Sequence, residues 1–365
     1  MKFRCEKDSL VDALSAAGRA VTGKSNITVL TGLQLVAKEE QIVITGTDRE
    51  LSIRIRIDAK VVDEGGAVIP ARLMTEIVKS LPAGMVTIDT DDHEARISSG
   101  RSQFAVRVLD NEEFPRISFS ENYSATLTAI EFADALRQVI RAASSDDARP
   151  VITGVLLSTQ DNGLRLVATD SYRLAVRDID GANILPADHQ QVLVPSRTLG
   201  ELLRVMGDVQ DLNVALDERE ITFSLGHIHM TSRLIEGKFP DYRPLIPKDY
   251  PNRLRIDRDV LLESVRRVKL MVRDSTTPVR MTMRADGVEL RVVSQEVGQA
   301  TEDIEAKYEG EEITVAFNPT YLIDGLESVA PGDVVIETLD ALKPATVKDD
   351  EQGSFLYLIM PVRVS

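Results

Sequence analysis

Several groups of residues have the types and spacing to do chemistry. Gly18 to Ser25, GRAVTGKS, satisfies G-x-x-x-x-G-K-[ST], the loop whose backbone amides cradle phosphate. That chemistry needs a strand before the loop and a helix N-terminus after it. Here an amphipathic helix precedes it and a β-like run, Ile27-Thr28-Val29-Leu30, follows, so nucleotide binding is set aside and Lys24 reads as a loop cation. His227 and His229 share one strand face. Two imidazoles make an incomplete metal site, and no Cys, His or acidic run nearby completes it, so no metal is expected. Asp48 and Asp170 look catalytic, yet each follows a Thr in a segment that recurs. An active site would rarely be duplicated at equivalent positions, and a repeated turn or cap is the better account. Asp91-Asp92, Asp146-Asp147 and Asp349-Asp350 sit in turn-like contexts and read as solvated loops. No catalytic residue and no cofactor is assigned. A hydrolase using Asp48, Asp170 and the His pair is the rival reading from the enzyme class.

A different chemistry runs through the basic residues. The chain carries 43 Lys+Arg against 58 Asp+Glu, a net charge of −15, whose mean field repels phosphate. The helical windows 8–24, 71–80, 130–149, 196–206, 258–273 and 319–329 nevertheless hold 14 basic against 12 acidic residues. Arg72 and Lys79 are seven apart, on one helix face, and Arg197 and Arg204 repeat that pair 125 residues later. Arg266 and Arg273 share the spacing, and Arg19 matches Arg141. Recurrence on equivalent helices argues against a merely solvated face. Cationic rows in an acidic protein suit sequence-independent contact with phosphates. Thr320 and Glu327 occupy the sites of Arg72 and Lys79 in a third copy, which departs from the pattern.

These residues are positioned by a repeated unit. Val29-Leu30-Thr31-Gly32 recurs as Val151-Ile152-Thr153-Gly154, and Ile44-Thr45-Gly46-Thr47-Asp48 as Leu166-Val167-Ala168-Thr169-Asp170, both shifted by 122. Val68-Ile69-Pro70-Ala71-Arg72 recurs as Leu193-Val194-Pro195-Ser196-Arg197, and Glu113-Phe114-Pro115 as Lys238-Phe239-Pro240, both shifted by 125. Leu290-Arg291-Val292-Val293 and Ala316-Phe317-Asn318-Pro319-Thr320 mark a fainter third copy. The copies span 1–120, 121–250 and 251–365. Each runs from an amphipathic helix (Phe132, Leu136, Val139, Ile140, Ala143) through short strands such as Leu51–Ile57. A shorter helix follows (Leu73, Ile77, Val78, Leu81, or Leu199, Leu202, Leu203, Met206), and more strands close the unit. This predicts α+β domains, with helices on one side of antiparallel sheets. Residues 109–125 and 239–252, rich in proline, read as extended connectors. The 43% hydrophobic content supports packed cores, and no apolar run approaches the ~20 residues of a membrane span. The single Cys5 excludes an internal disulfide, and the N-terminus lacks a signal-peptide core, so a cytoplasmic protein is expected.

The chain resembles the bacterial sliding-clamp family, the β subunits of DNA polymerase III. The residues that carry this are Met1-Lys2-Phe3, Gly46-Thr47-Asp48, Ser99-Gly100-Arg101-Ser102, Ala168-Thr169-Asp170 with Arg173-Leu174-Ala175, Phe239-Pro240-Asp241-Tyr242-Arg243, Phe317-Asn318 with Tyr321, and Met360-Pro361-Val362-Arg363, in order over the whole length. The resemblance implies a head-to-tail homodimeric ring of the DNA clamp fold, with helices lining the bore. It would encircle duplex DNA and tether the polymerase as a non-catalytic processivity factor. DNA-facing cations would be Arg19, Lys24, Arg72, Lys79, Arg137, Arg141, Arg149, Arg197, Arg204, Arg266, Arg267 and Arg273. The dimer seam would use Leu270 and Met271 against Leu81, Phe104 and Val106, with Arg96 and Arg101 facing Glu302 and Glu305. Short linear peptides from the polymerase α subunit, the clamp-loader δ subunit, other polymerases and repair proteins would dock in a groove. Its walls would be Ile152, Thr169, Tyr172, Arg173, Leu174, Pro240, Leu245, Asn318, Tyr321, Leu342, Pro344, Leu358, Ile359, Met360, Pro361, Val362, Arg363 and Val364. Departures are Pro244 where some members have Arg, Ser171-Tyr172 where others have Gly-His, and Thr276 in place of an aromatic. A repeat scaffold that binds proteins without encircling DNA keeps the groove but leaves the arginine rows unexplained.

Overall fold

The computed structural model describes residues 1–22, 25–160, 163–182, 184–185, 191–247, 249–274, 276–349 and 353–363. Among the described residues are six α-helices, two in each sequence repeat: α1 (Lys7–Ala17), α2 (Ala71–Ser80), α3 (Ala129–Val139), α4 (Ser196–Val205), α5 (Arg258–Lys269) and α6 (Pro319–Ser328). Local chemistry starts them. The Asp257 carboxylate accepts from the Val260 amide at 2.9 Å, and Asn318 Oδ1 from Thr320 at 2.9 Å, each satisfying an orphan donor of the first turn. Pro319 at the head of α6 has no amide to satisfy.

The first helix of each repeat is shorter than its apolar period predicts. α1 and α3 tighten into 3-10 turns at Gly18–Ala20 and Ile140–Ala142, and α5 stops at Lys269. The turns bury Ala20 and Ala142 while the chain reverses. Residues 143–149 and 270–273 are therefore not helical. The run 27–30 is also a correction, since Thr28–Thr31 is a 3-10 turn rather than a strand. Val29 and Leu30 are both buried, with Val68 and Phe114; strand alternation would have sent one of them to solvent. On α2 the buried face is Ala71, Met74, Ile77 and Val78, and Leu73 is 46% exposed.

The chain divides into two compact units, and two of the three division points fall inside α3 and α4. The first unit (1–130 with 200–234) holds two antiparallel sheets. One has the order Lys60–Asp63, Lys2–Glu6, Met85–Thr90, Glu94–Ser99, Ser102–Arg107. The other, eight-stranded, runs Ala125–Thr128, Asp211–Leu216, Glu220–Leu225, Ile228–Arg233, Leu51–Asp58, Gln41–Thr47, Gly32–Lys38, Gly65–Pro70. At its centre the second repeat joins the first, with Thr231 opposite Ser52 and His229 opposite Arg54. α1 packs on the strands 41–47 and 51–58. Gly46 lies where a Cβ would stand 2.2 Å from the Ala17 carbonyl at the end of α1, which explains a glycine inside that strand. Cys5 is buried, and burial pushes its thiol up to about 12.

The second unit (131–199 with 235–365) has the same plan. Its nine-stranded sheet runs Gln191–Pro195, Gly154–Gln160, Gly163–Thr169, Arg173–Asp180, Phe355–Ile359, Ala345–Asp349, Asp333–Thr338, Asn252–Asp257, Lys307–Glu309. Here the third repeat joins the second, with Leu358 opposite Leu174 and Leu356 opposite Val176. A four-stranded sheet runs Gly298–Ile304, Gly287–Ser294, Val279–Arg284, Ile313–Phe317. α5 packs along α6 and across the strand 287–294.

Candidate functional site

The groove residues gather in the second unit, around the seam of its nine-stranded sheet. Alternation sends Leu174 and Leu358 to one face, where they join Ile152, Phe239 and Tyr242 in a buried cluster edged by Met360. These side chains are the floor. Tyr172, Pro240, Leu245 and Leu342 stand exposed around it, while Pro344, Pro361 and Val362 are half-buried. Ile359 is a correction. It is fully buried and, being next to Leu358 in the strand, points to the opposite, helix-packed face, so it is core and not wall. Val364 lies outside the described residues. Phe239 and Tyr242 also belong to this floor, with Leu356 packed against it, although nothing in their spacing assigns them to it. The recurrence of Phe114-Pro115 as Phe239-Pro240 was the signal for the first of them.

The wall is built by the repeated Thr-Asp turn. Asp170 Oδ1 accepts from the amides of Tyr172 (2.9 Å) and Arg173 (3.0 Å), and Thr169 Oγ1 donates to the Arg173 carbonyl at 2.6 Å. Ser171 takes φ +79°, and Arg49 takes φ +76° in the matching turn at Asp48. Asp48 Oδ1 likewise accepts from Glu50 (3.0 Å) and Leu51 (2.8 Å). Both aspartates are turn formers, as the duplication implies. The turn presents Tyr172, whose ring stacks on Tyr321 of α6 with centroids 6.3 Å apart. Arg173 lies under them, its guanidinium 4.5 Å from the Tyr321 ring centre, Nε on Asp170 at 3.0 Å and Nη1 on Asp324. Against the cost of burial, Asp324 and Asp170 hold that guanidinium above its ordinary value. Burial also pushes the Tyr357 hydroxyl up, so it stays protonated and donates to the Tyr321 carbonyl at 2.9 Å. Asn318 caps α6 and fixes Tyr321 at its start. The chain end is pinned by Met360 N to the Tyr172 carbonyl (2.9 Å) and Val362 N to the Ala316 carbonyl (2.7 Å), and Arg363 is exposed. The result is an apolar trough with an aromatic rim and a few fixed polar atoms, the chemistry of a peptide pocket.

The basic residues sort into separate groups. In the first unit α1 and α2 border an open depression of about 870 Å³ that brings together Arg19, Arg72, Lys79 and Leu73. Arg72 pairs with Glu76 at 2.9 Å, while Arg19 (3.2 Å) and Arg204 (2.5 Å) share Glu201. In the second unit Arg141 and Arg266 share Glu327, whose carboxyl they hold below its usual range, and Arg137 pairs with Asp134 at 2.5 Å. Arg197 is exposed on α4. Two assignments change, and Arg267 is paired like the others. Arg273 lies beyond the end of α5 and shares no helix face with Arg266. Arg149 lies beyond the 3-10 turn after α3 and donates to Ser171 Oγ at 3.1 Å, which sets it beside the groove turn. Arg267 binds Glu302 through two bonds of 2.7 Å and holds that carboxyl low. Lys24 lies outside the described residues.

The seam residues also divide. Leu270 is 75% exposed just beyond α5, with Met271 half-buried beside it, and Phe104 and Arg101 are exposed on the first unit. Leu81 and Val106 are buried within their own unit. Arg96 is engaged by Asp91 (3.0 Å) and Glu94 (3.1 Å), and Glu302 by Arg267, so their expected mutual pairing would require an exchange of partners; Glu305 is exposed.

Repeated α+β units with helices on one face of antiparallel sheets, a trough for a peptide and clustered surface arginines define a non-catalytic binding protein of the DNA clamp class. The family models of the DNA polymerase III beta subunit match in three consecutive pieces: the N-terminal domain over residues 1–118, the central domain over 126–241 and the C-terminal domain over 243–363. A beta sliding clamp of Streptomyces coelicolor is 33% identical over 376 aligned residues, covering 100% of both chains. One from Staphylococcus aureus is 30% identical, covering 100% of this chain and 99% of that one. Among solved structures, the DNA polymerase sliding clamp from Bacillus subtilis superposes with a TM-score of 0.94 at 29% identity, and a Pseudomonas aeruginosa sliding clamp bound to griselimycin with 0.92 at 26%, each covering 100% of both chains. The chain belongs to the DNA polymerase III beta subunit family, the beta sliding clamps. It is a processivity factor and performs no bond chemistry itself. No helix among the described residues is long and apolar enough to cross a membrane.

Proposed function

We propose that residues 1–120, 121–250 and 251–365 are three like domains and that two chains close head to tail into a ring around duplex DNA. The pattern of sheet edges carries this reading. Ile228–Arg233 of the second repeat pairs with Leu51–Asp58 of the first, and Phe355–Ile359 of the third pairs with Arg173–Asp180 of the second. The equivalent strands left over are Ser102–Arg107 and Gly298–Ile304, and each ends its sheet. Pairing them between two chains applies the same rule a third time and leaves neither edge open. The matching hairpins carry the register over: Val106 falls opposite Gly298 of the partner subunit, and Phe104 opposite the partner subunit's Ala300. Residues twelve positions after the starts of α1, α3 and α5 agree with this. They are Arg19, Arg141 and Leu270. The two arginines reach carboxylates on the second helix of the following repeat, Glu201 and Glu327. The leucine stands bare, as a residue awaiting a second chain would.

In this reading Arg19, Arg72, Lys79, Arg137, Arg141, Arg197, Arg204, Arg266 and Arg267 meet phosphates without reading sequence, so the ring slides. The trough at Leu174 and Leu358 takes linear motifs from the polymerase α subunit, the clamp-loader δ subunit and repair proteins, which raises their effective concentration at the template. The protein acts in the cytoplasm.

A doubly substituted chain, Phe104→Cys with Ala300→Cys, treated with a short bis-maleimide, tests the ring. The expected product is a covalently closed dimer near twice 40.3 kDa. Cross-linked after loading onto nicked circular DNA it should stay, and cutting the circle should release it. A monomeric product, or equal retention on circular and linear DNA, contradicts the ring. Removing residues 360–365 should abolish binding of a polymerase peptide without affecting the dimer, and unchanged binding would mean the trough is misassigned.

A further inference from the structure

We propose a second ligand site at the seam of the first and second repeats, a pocket for an extended acidic peptide held by Arg49, Arg116 and Arg233. It rests on the peptide-groove reading only in taking an extended chain as the occupant. The first unit has a cavity of about 410 Å³ whose lining includes Thr47, Glu50, Ser52, Pro115, Glu220 and Thr231 as well as the three arginines. Position by position it is the internal duplicate of the trough. Thr47 corresponds to Thr169, Glu50 to Tyr172, Ser52 to Leu174 and Pro115 to Pro240 by the sequence repeat. The cross-strand pair Ser52–Thr231 corresponds to Leu174–Leu358 by sheet register, and Arg233 falls at the place of Met360. The backbone cradle is thus retained while its chemistry is inverted. Where the trough has a leucine floor and an exposed tyrosine, this pocket has hydroxyls and charges.

The hydroxyls are satisfied among themselves. Thr47 Oγ1 and Ser52 Oγ lie 2.8 Å apart, and Thr231 and Thr222 2.9 Å apart, so the floor makes no strong demand for a ligand atom. The guanidinium groups differ. Arg233 is 3.6 Å from Glu50, whereas Arg49 and Arg116 have no carboxylate partner among the described residues and are exposed at the mouth. Arginine pairs presented this way take carboxylates in bidentate fashion. Glu50 and Glu220 in the same wall repel a continuous run of phosphates. They can accept from the amides or hydroxyls of a peptide whose carboxylates are spaced apart. An extended segment with acidic side chains at alternate positions satisfies both signs.

Fluorescence anisotropy of a fluorescein-labelled heptapeptide of alternating aspartate and serine, with the full-length protein at low salt, tests this. The Arg49→Ala/Arg116→Ala double variant should weaken binding by about ten-fold or more, with an unchanged thermal melt. An all-serine heptapeptide should not bind. Arg72→Ala/Lys79→Ala and removal of residues 360–365 should each leave the affinity where it was. The truncation separates the two sites: if it abolishes acidic-peptide binding, the peptide sits in the trough and the proposal fails. If polymerase-peptide binding survives truncation while the double variant still loses the acidic peptide, the trough reading falls and this one stands. Equal affinity of the double variant and the unsubstituted protein overturns it, as does tighter binding of an oligothymidylate of the same charge.

Discussion

Two seams in this molecule share a backbone and little else. Between the first and second repeats, His229 faces Arg54 across the strands, Phe119 lies under the Arg54 guanidinium at 4.0 Å, and Thr231 pairs with Ser52. Between the second and third, Leu356 stands where His229 does, and Leu358 meets Leu174. Hydrogen-bond register is fixed by main-chain atoms common to every sequence, so a duplicated sheet keeps its pairing while the side chains above it diverge. One seam became polar and charged, the other apolar, and the difference assigns each a distinct ligand chemistry.

Truncating the apolar seam should have the largest effect. Leu358→Ala removes a fully packed side chain from the trough floor and should cost about 2–5 kcal/mol in urea unfolding. Thr231→Ala, its counterpart, should cost about 1–3 kcal/mol, mainly because the buried Thr222 hydroxyl loses its partner. Equal losses would mean that the floors are not distinguished by apolar burial.

Acid should act on the charged seam selectively. Burial, then the neighbouring Arg56 and Arg54, hold the His229 imidazole below its ordinary value of 6.5. A depressed folded pKa means that the unfolded chain binds the proton first. The His229 contribution is therefore complete above about pH 6.5 and is lost as pH falls toward the folded pKa, at no more than about 1.4 kcal/mol per pH unit. His229→Leu, which copies the other seam, should flatten the stability profile between pH 7 and 5.5. An unchanged slope would place the sensitivity elsewhere.

The smallest stability effect is expected on the helix surface. Arg72 is 91% exposed beside Glu76, and Arg72→Ala should leave the urea midpoint where it was. Its effect should show on DNA instead, lowering the slope of log affinity against log salt by about 1. A large loss of stability with an unchanged slope would make Arg72 a structural residue.

Much of this was legible in residue order. The constant shifts of 122 and 125 located equivalent strands, and the recurring Thr-Asp was recognisable as a turn because chemistry is seldom duplicated in place. Helix ends were not legible, since α1 and α3 stop where 3-10 turns bury Ala20 and Ala142, and alanine carries no apolar period that would announce it. Leu73 was assigned to the core by its spacing from Ile77, but Met74 fits that face one residue better. Ile359 looked like wall because its neighbours are, and only strand alternation puts it on the far side. The partners of Arg267 and Arg149, Glu302 on the strand Gly298–Ile304 and Ser171 in a turn, depend on tertiary packing, which no local pattern encodes.

The burial of Cys5 bears on how this molecule can be studied. A sulfur held protonated near neutral pH and shut away from solvent is a poor nucleophile toward maleimides. Dyes, spin labels or tethers can thus be directed to new surface cysteines in the otherwise unaltered chain, and distances across the proposed closure can be read without first removing the native thiol.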